Sequence, residues 1–178
     1  VISALASFHG RTLATVTATG QPRYQQNFEP LVPGFHHVPY NNFAALADMV
    51  DALDRDAPTV AAILLEPLQG EGGIRPGDPA YFKQVRALCD ERGILLMFDE
   101  VQVGVGRTGT LWGHAQLGVD ARRDDAGEGP RRRAADRAML CRSGCDVFEP
   151  AITGAPSAGI RWSARRRWRC SRRSSETG

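Results

Sequence analysis

The stretch Ile94-Leu95-Leu96-Met97-Phe98-Asp99-Glu100-Val101-Gln102 decides the fold. Five apolar residues follow Gly93, and a carboxylate and an amide come soon after them. A short unbroken apolar run reads as a strand buried on both faces, the habit of parallel sheets. Polar side chains at the carboxyl end of such a strand stand where open α/β sheets bind their ligands.

Working outward, Asp78-Pro79 supplies an N-cap followed by proline at the first helical position, and Gly93 supplies the stop. Between them Phe82, Val85, Leu88 and Cys89 recur on one helical face. Upstream, Thr59 to Leu65 is β-branched and apolar and reads as a second buried strand. Before it, Asn42 caps a helix whose apolar face is Phe43, Leu46, Val50 and Leu53. Helix, strand, helix, strand is the order of a parallel sheet with crossover helices, so the class is α/β.

The bulk composition fits a globular domain: 178 residues, 42% hydrophobic and 24% charged, with net charge +2 selecting no partner class. The chain begins at Val1 rather than Met, which fits a fragment. No apolar run reaches membrane-spanning length and Val1 to Ala6 lacks signal-peptide character, so a cytoplasmic protein without membrane partners is expected. Cys89, Cys141, Cys145 and Cys170 form no CxxC pair, and His36, His37 and His114 lack ligand spacing, so no metal is expected.

From Ala121 the periodicity fails. Arginines crowd Ala121–Asp125, Arg131–Arg133 and Arg161–Arg173, while the chain's single lysine is Lys83 on the predicted 79–92 helix. A basic tail with Trp162 and Trp168 suits phosphate neutralisation and base stacking, yet no nucleic-acid module accompanies it, so nucleic acid is the less favoured partner. Gly104-x-Gly106-x-x-Gly109 matches the dinucleotide fingerprint in letters only. Residues 99–103 separate it from the strand, and no second strand ending in an acid follows.

Four ordered blocks resemble the class III pyridoxal-phosphate aminotransferases. They are Ser7-Phe8-His9-Gly10-Arg11-Thr12, Thr19-Gly20-Gln21-Pro22-Arg23-Tyr24, Leu65-Glu66-Pro67-Leu68-Gln69-Gly70-Glu71-Gly72-Gly73, and Phe98-Asp99-Glu100-Val101-Gln102 through Gly104 to Gly109. The first two favour the acetylornithine branch, with ornithine, succinyl-ornithine or another diamine as substrates of close relatives. The resemblance implies part of the large domain of a fold-type I transferase, a mostly parallel sheet with flanking helices. It implies pyridoxal 5'-phosphate as cofactor, N-acetylornithine and 2-oxoglutarate as substrates, a place in arginine biosynthesis, and a homodimer.

The same resemblance assigns roles. Asp99 pairs with the protonated ring nitrogen, Gln102 bonds the ring's phenolic oxygen, Phe8 stacks on the ring, and Glu100 and Val101 complete the cofactor contacts. Arg11 receives the substrate carboxylate, Glu71 pairs with a second arginine, and Glu66 supports the pocket. Taken singly, Asp99 also fits a turn cap, Phe8 a core aromatic and Arg11 a surface ion pair. His9 fits a structural hydrogen bond as well as a ligand contact.

The family continues with the aldimine lysine that holds the cofactor covalently, yet Ala121 to Arg137 contains no lysine and Glu128 stands at its place. Reading 121–137 one base later, with permitted codons, yields a segment like the family's lysine segment. Residues 138–150 resemble the family in frame, and 151–178 read two bases later resemble its Ser-Thr-Phe-Gly-Gly-Asn-Pro segment. The expected organisation is therefore a partial cofactor-binding domain over 1–120 and an out-of-frame, Arg-rich segment over 121–178. A non-catalytic protein with a nucleic-acid-binding tail is the alternative from another class.

Overall fold

The computed structural model describes residues 1–119. The expectations for Glu128 and for 121–178, including the 138–150 segment, lie outside the described residues.

Four parallel strands form the main sheet. They are β1 (Ile2–Ala4), β2 (His36–Val38), β3 (Ala62–Leu65) and β6 (Leu95–Phe98), in the order β2-β1-β3-β6. Register is set by apolar partners: Ile2 lies against Ile63, Ile63 against Leu96, and Leu65 against Phe98. Helix α3 (Phe43–Leu53) connects β2 to β3, and α4 (Pro79–Arg92) connects β3 to β6. Two short helices, α1 (Leu13–Ala18) and α2 (Pro22–Gln25), follow β1, and a two-stranded ribbon of β4 (Leu68–Gln69) and β5 (Arg75–Pro76) follows β3.

Both long helices begin as the sequence predicts. The Asn42 side chain accepts from the Ala45 N–H at 3.0 Å, and the Asp78 side chain accepts from the Ala80 N–H at 2.8 Å. Gly93 closes α4 in the left-handed region at φ 68°, where a side chain is disfavoured. Leu46 and Val50 of α3, and Tyr81, Phe82, Val85, Leu88 and Cys89 of α4, bury against Ile2, Ile63, Leu65, Leu96 and Phe98. Burying each such side chain contributes about 1.5–3 kcal/mol. Phe82 packs on Phe98 with centroids 5.8 Å apart, so the α4 face grips the strand that ends at Asp99.

Both predicted strands start later than their apolar runs, because neighbouring helix ends claim their first residues. Asp54 Oδ1 accepts from the N–H of Thr59 and of Val60 at 2.6 and 3.0 Å, and the Thr59 hydroxyl donates to Leu53 O. Those residues finish the turn after α3, so β3 begins at Ala62. Ile94 donates to Cys89 O at 3.0 Å as part of the α4 terminus, and β6 begins at Leu95. Among the described residues no helix is long and apolar enough to cross a membrane.

Candidate active site

Three neighbouring parallel strands end at one place. The chain after β1 delivers Phe8 and His9, β3 delivers Glu66, and β6 delivers Asp99 and Gln102, all onto one open cleft. The cleft sits at the carboxyl ends of the strands, where sequence order and parallel topology direct it.

Asp99 is held from two sides. Its Oδ2 lies 2.9 Å from His9 Nδ1, and its Oδ1 accepts from the Val101 N–H at 3.1 Å. One carboxylate oxygen thus caps the turn after β6, as the turn-capping reading expects, and the other meets His9. The opposite nitrogen of His9, Nε2, lies 3.0 Å from Ser3 Oγ, which lies 3.2 Å from Ser7 Oγ. Ser7 in turn accepts from the Gly20 N–H at 3.0 Å. This chain of bonds ties the Asp99 carboxylate to the buried end of β1. Sequence reasoning leaves His9 open between two roles, and the structure places it against Asp99. The available signal is its position one residue after Phe8 in the Phe-His-Gly-Arg-Thr block.

Glu66 is 4% exposed, and its Oε2 accepts from the Phe8 N–H at 3.2 Å. Burial pushes its carboxyl up to about 8; the Phe8 N–H works against this, while Asp99 and Glu71 add to it. Glu66 is thus mostly protonated at neutral pH. Tyr40 donates to the Glu66 carbonyl at 2.7 Å and fixes the backbone there. Phe8 and Val101 give the cleft its apolar wall, and the exposed Gln102 reaches it beside Gly70.

Glu71 stands at the rim and accepts from the Tyr24 hydroxyl at 2.6 Å. Two expected contacts are not brought into the cleft. Glu100, expected to touch the cofactor, is fully buried and turned away. Its oxygens accept from the Gly113 and His114 N–H groups at 2.8 Å each and meet His114 Nδ1 at 2.7 Å. The alternation of side chains explains this, since adjacent residues leave an extended segment on opposite sides. Burial raises the Glu100 carboxyl, but the bonds from the His114 ring and the two N–H groups outweigh it and hold the group below its usual value. Arg11 is exposed and does not line the cleft; its guanidinium lies over the Tyr24 ring, 5.4 Å from the centroid. Lys83 is exposed on α4 and is not a cleft residue.

The glycines at 104, 106 and 109 lie in turns that lead to a 3-10 segment, Gly113–Leu117, rather than opening an α-helix. That removes the geometric basis of a dinucleotide site. His37 bonds Ala18 O and His114 bonds Glu100, and among the described residues no three His, Cys, Asp or Glu side chains group as metal ligands.

The profile of the family described as aminotransferase class-III matches residues 1–122. The chain belongs to the class-III aminotransferases. Such enzymes use pyridoxal phosphate. Curated relatives of this class-III chain include the acetylornithine aminotransferase of Thermosynechococcus vestitus, 61% identical over 150 residues, covering 84% of this chain and 36% of the relative. The acetylornithine aminotransferase of Nostoc sp. is 55% identical over the same length, covering 84% and 35%. Among solved structures, the ornithine aminotransferase of Toxoplasma gondii superposes with a TM-score of 0.73 at 27% identity, over 88% of this chain and 38% of that one. The chain thus spans about a third of the length of the curated relatives it matches.

Proposed function

We propose that these residues are the ring-binding part of an aminotransferase that moves an amino group between N-acetylornithine and 2-oxoglutarate, in arginine biosynthesis. The observation that carries the reading is the Asp99 carboxylate, presented at a strand end and oriented by His9 at 2.9 Å. The cleft fits the cofactor's ring. Its lining holds the carboxylates of Asp99 and Glu71 and the mostly uncharged Glu66, with no lysine or arginine, beside the aromatic Phe8. An acidic pocket with an aromatic wall favours a flat ring carrying a protonated nitrogen. The names of the curated relatives favour acetylornithine over other diamines.

When bound, pyridoxal phosphate supplies an electron sink for bond breaking at the substrate's α-carbon. Asp99 holds a proton at the ring nitrogen, and His9, braced by Ser3, keeps that carboxylate aimed. Phe8 would bound one face of the ring and Gln102 would donate to its phenolic oxygen. Glu66, mostly uncharged at neutral pH, adds little negative charge beside Asp99. Arg11 receives the substrate carboxylate at the mouth, and Glu71 responds to which substrate is present. The whole enzyme is a cytoplasmic homodimer.

This 178-residue chain is itself inactive in that reading, since Ala121 to Arg137 contains no lysine and Glu128 falls at the family lysine's place when the slipped frame is restored. We attribute 121–178 to reading-frame slips, with 138–150 in frame. The family profile ends at residue 122, beside the first proposed slip, which supports a break there. Sequencing the encoding DNA should reveal single-base insertions or losses near codons 121, 137 and 151; an unbroken frame with unrelated codons refutes the attribution. The site itself is tested by titrating pyridoxal phosphate into the chain and following its fluorescence. Asp99→Asn should weaken binding at least about tenfold, the worth of one charged hydrogen bond. Equal binding by the variant defeats the reading.

A further inference from the structure

Tyr24 is the residue of the cleft mouth to which sequence reasoning gives no role, and four groups of opposite character meet on it. Its hydroxyl donates to Glu71 Oε1 at 2.6 Å and accepts from Arg23 Nη2 at 3.1 Å. Its ring meets the edge of Phe8 at 5.2 Å and an interplanar angle of 71°. The guanidinium carbons of Arg11 and Arg23 lie 5.4 and 4.7 Å from its centroid.

The consequence for Arg11 is specific. Among the described residues its guanidinium makes no hydrogen bond or ion pair, and it rests on an aromatic face. Stacking of this kind attracts the cation while leaving its N–H donors unspent. The Glu71 carboxylate, exposed at the cleft rim and bonded to the same tyrosine, is the natural competitor for those donors. The phenol satisfies Glu71 with a neutral donor, and Arg23 stays 3.9 Å from Glu71, at the limit of an ion pair.

We propose that Tyr24 is a positioning residue that holds Arg11 open for a substrate carboxylate by stacking its guanidinium and by occupying Glu71 with the phenolic hydroxyl. The inference deepens the aminotransferase reading and rests on it for the identity of the substrate, an amino or oxo acid. A phenylalanine at this position keeps the stacking surface but releases Glu71, which then pairs with Arg11 and excludes the incoming carboxylate. The hydroxyl therefore governs specificity for acids without touching them.

The test uses the full 178-residue chain and 13C-labelled glutarate observed by NMR. Glutarate carries two carboxylates but neither amine nor oxo group, so the result does not depend on whether pyridoxal phosphate binds. The Arg-rich segment adds background, and the component lost in Arg11→Gln is the one of interest. Tyr24→Phe should weaken that component roughly fivefold, the size of one exposed ion pair. Tyr24→Phe combined with Glu71→Gln should return to within about twofold of the wild type, because the competitor is then gone. A purely packing role for Tyr24 predicts no such rescue. The proposal is overturned if the wild type shows no Arg11-dependent binding, if Tyr24→Phe binds like the wild type, or if the double variant stays as weak as Tyr24→Phe.

Discussion

Replacing Glu66 by glutamine should stabilise the protein at alkaline pH and change little in acid. Glu66 is 4% exposed, and its carboxyl, ordinarily near 4.5, is raised to about 8 by burial, with Asp99 and Glu71 adding to the effect. A raised carboxyl binds its proton more tightly in the folded state than in the unfolded chain. Its contribution to stability is therefore fully present below pH 4.5 and is lost as pH rises toward 8. The interval from 4.5 to about 8, at about 1.4 kcal/mol per pH unit, gives at most about 5 kcal/mol. Glutamine copies the protonated form, and its side-chain oxygen still accepts from the Phe8 N–H. Urea unfolding of the wild type and Glu66→Gln at pH 5 and pH 8.5 should show a gap that opens in favour of the variant at the higher pH. A gap that does not change with pH, together with a Glu66 13Cδ titration midpoint near 4.5, would refute the burial argument.

Glu100→Ala should cost about 3–5 kcal/mol, because it leaves the buried His114 ring and two N–H groups without their acceptor. Since the Glu100 carboxyl is held below its usual value, its contribution is present above pH 4.5 and is lost as pH falls through the lower folded value; acid unfolding monitored by far-UV circular dichroism should show this loss in the wild type and not in Glu100→Gln. Gly20→Ala should destabilise by more than about 3 kcal/mol in urea, since the new Cβ would sit 2.1 Å from the Ala4 carbonyl oxygen at the end of β1. Asn42→Ala and Asp78→Ala should each cost about 1 kcal/mol by the same measurement, the usual worth of an N-cap.

The features that local rules govern were legible in the sequence. Asn42, Asp78-Pro79 and Gly93 mark helix ends through bonds made within a few residues, and the structure repeats them. Strands β1 and β2 were not legible, because three residues carry too little periodicity and each is defined by partners 34 or more positions away. The strand starts moved for the same kind of reason: the Asp54 carboxylate and the Cys89 carbonyl claim backbone groups that an apolar run alone would assign to the sheet. At the site, Phe8, Glu66, Glu71, Asp99 and Gln102, which the resemblance groups together, line one cleft in the structure. It did not separate Glu100 from its neighbours, since a motif carries no side-chain direction, and it passed over Tyr24, whose meaning comes from Glu71 located 47 residues away.

The central claim, that the Asp99 carboxylate keeps a proton on the ring nitrogen of pyridoxal phosphate, is open to direct observation. Cofactor labelled with 15N in the ring, bound to the 178-residue chain at pH 8, reports protonation of that atom through its chemical shift. The account predicts a protonated nitrogen in the wild type and an unprotonated one in Asp99→Asn. The same shift in both proteins, or an unprotonated nitrogen in the wild type, would contradict it.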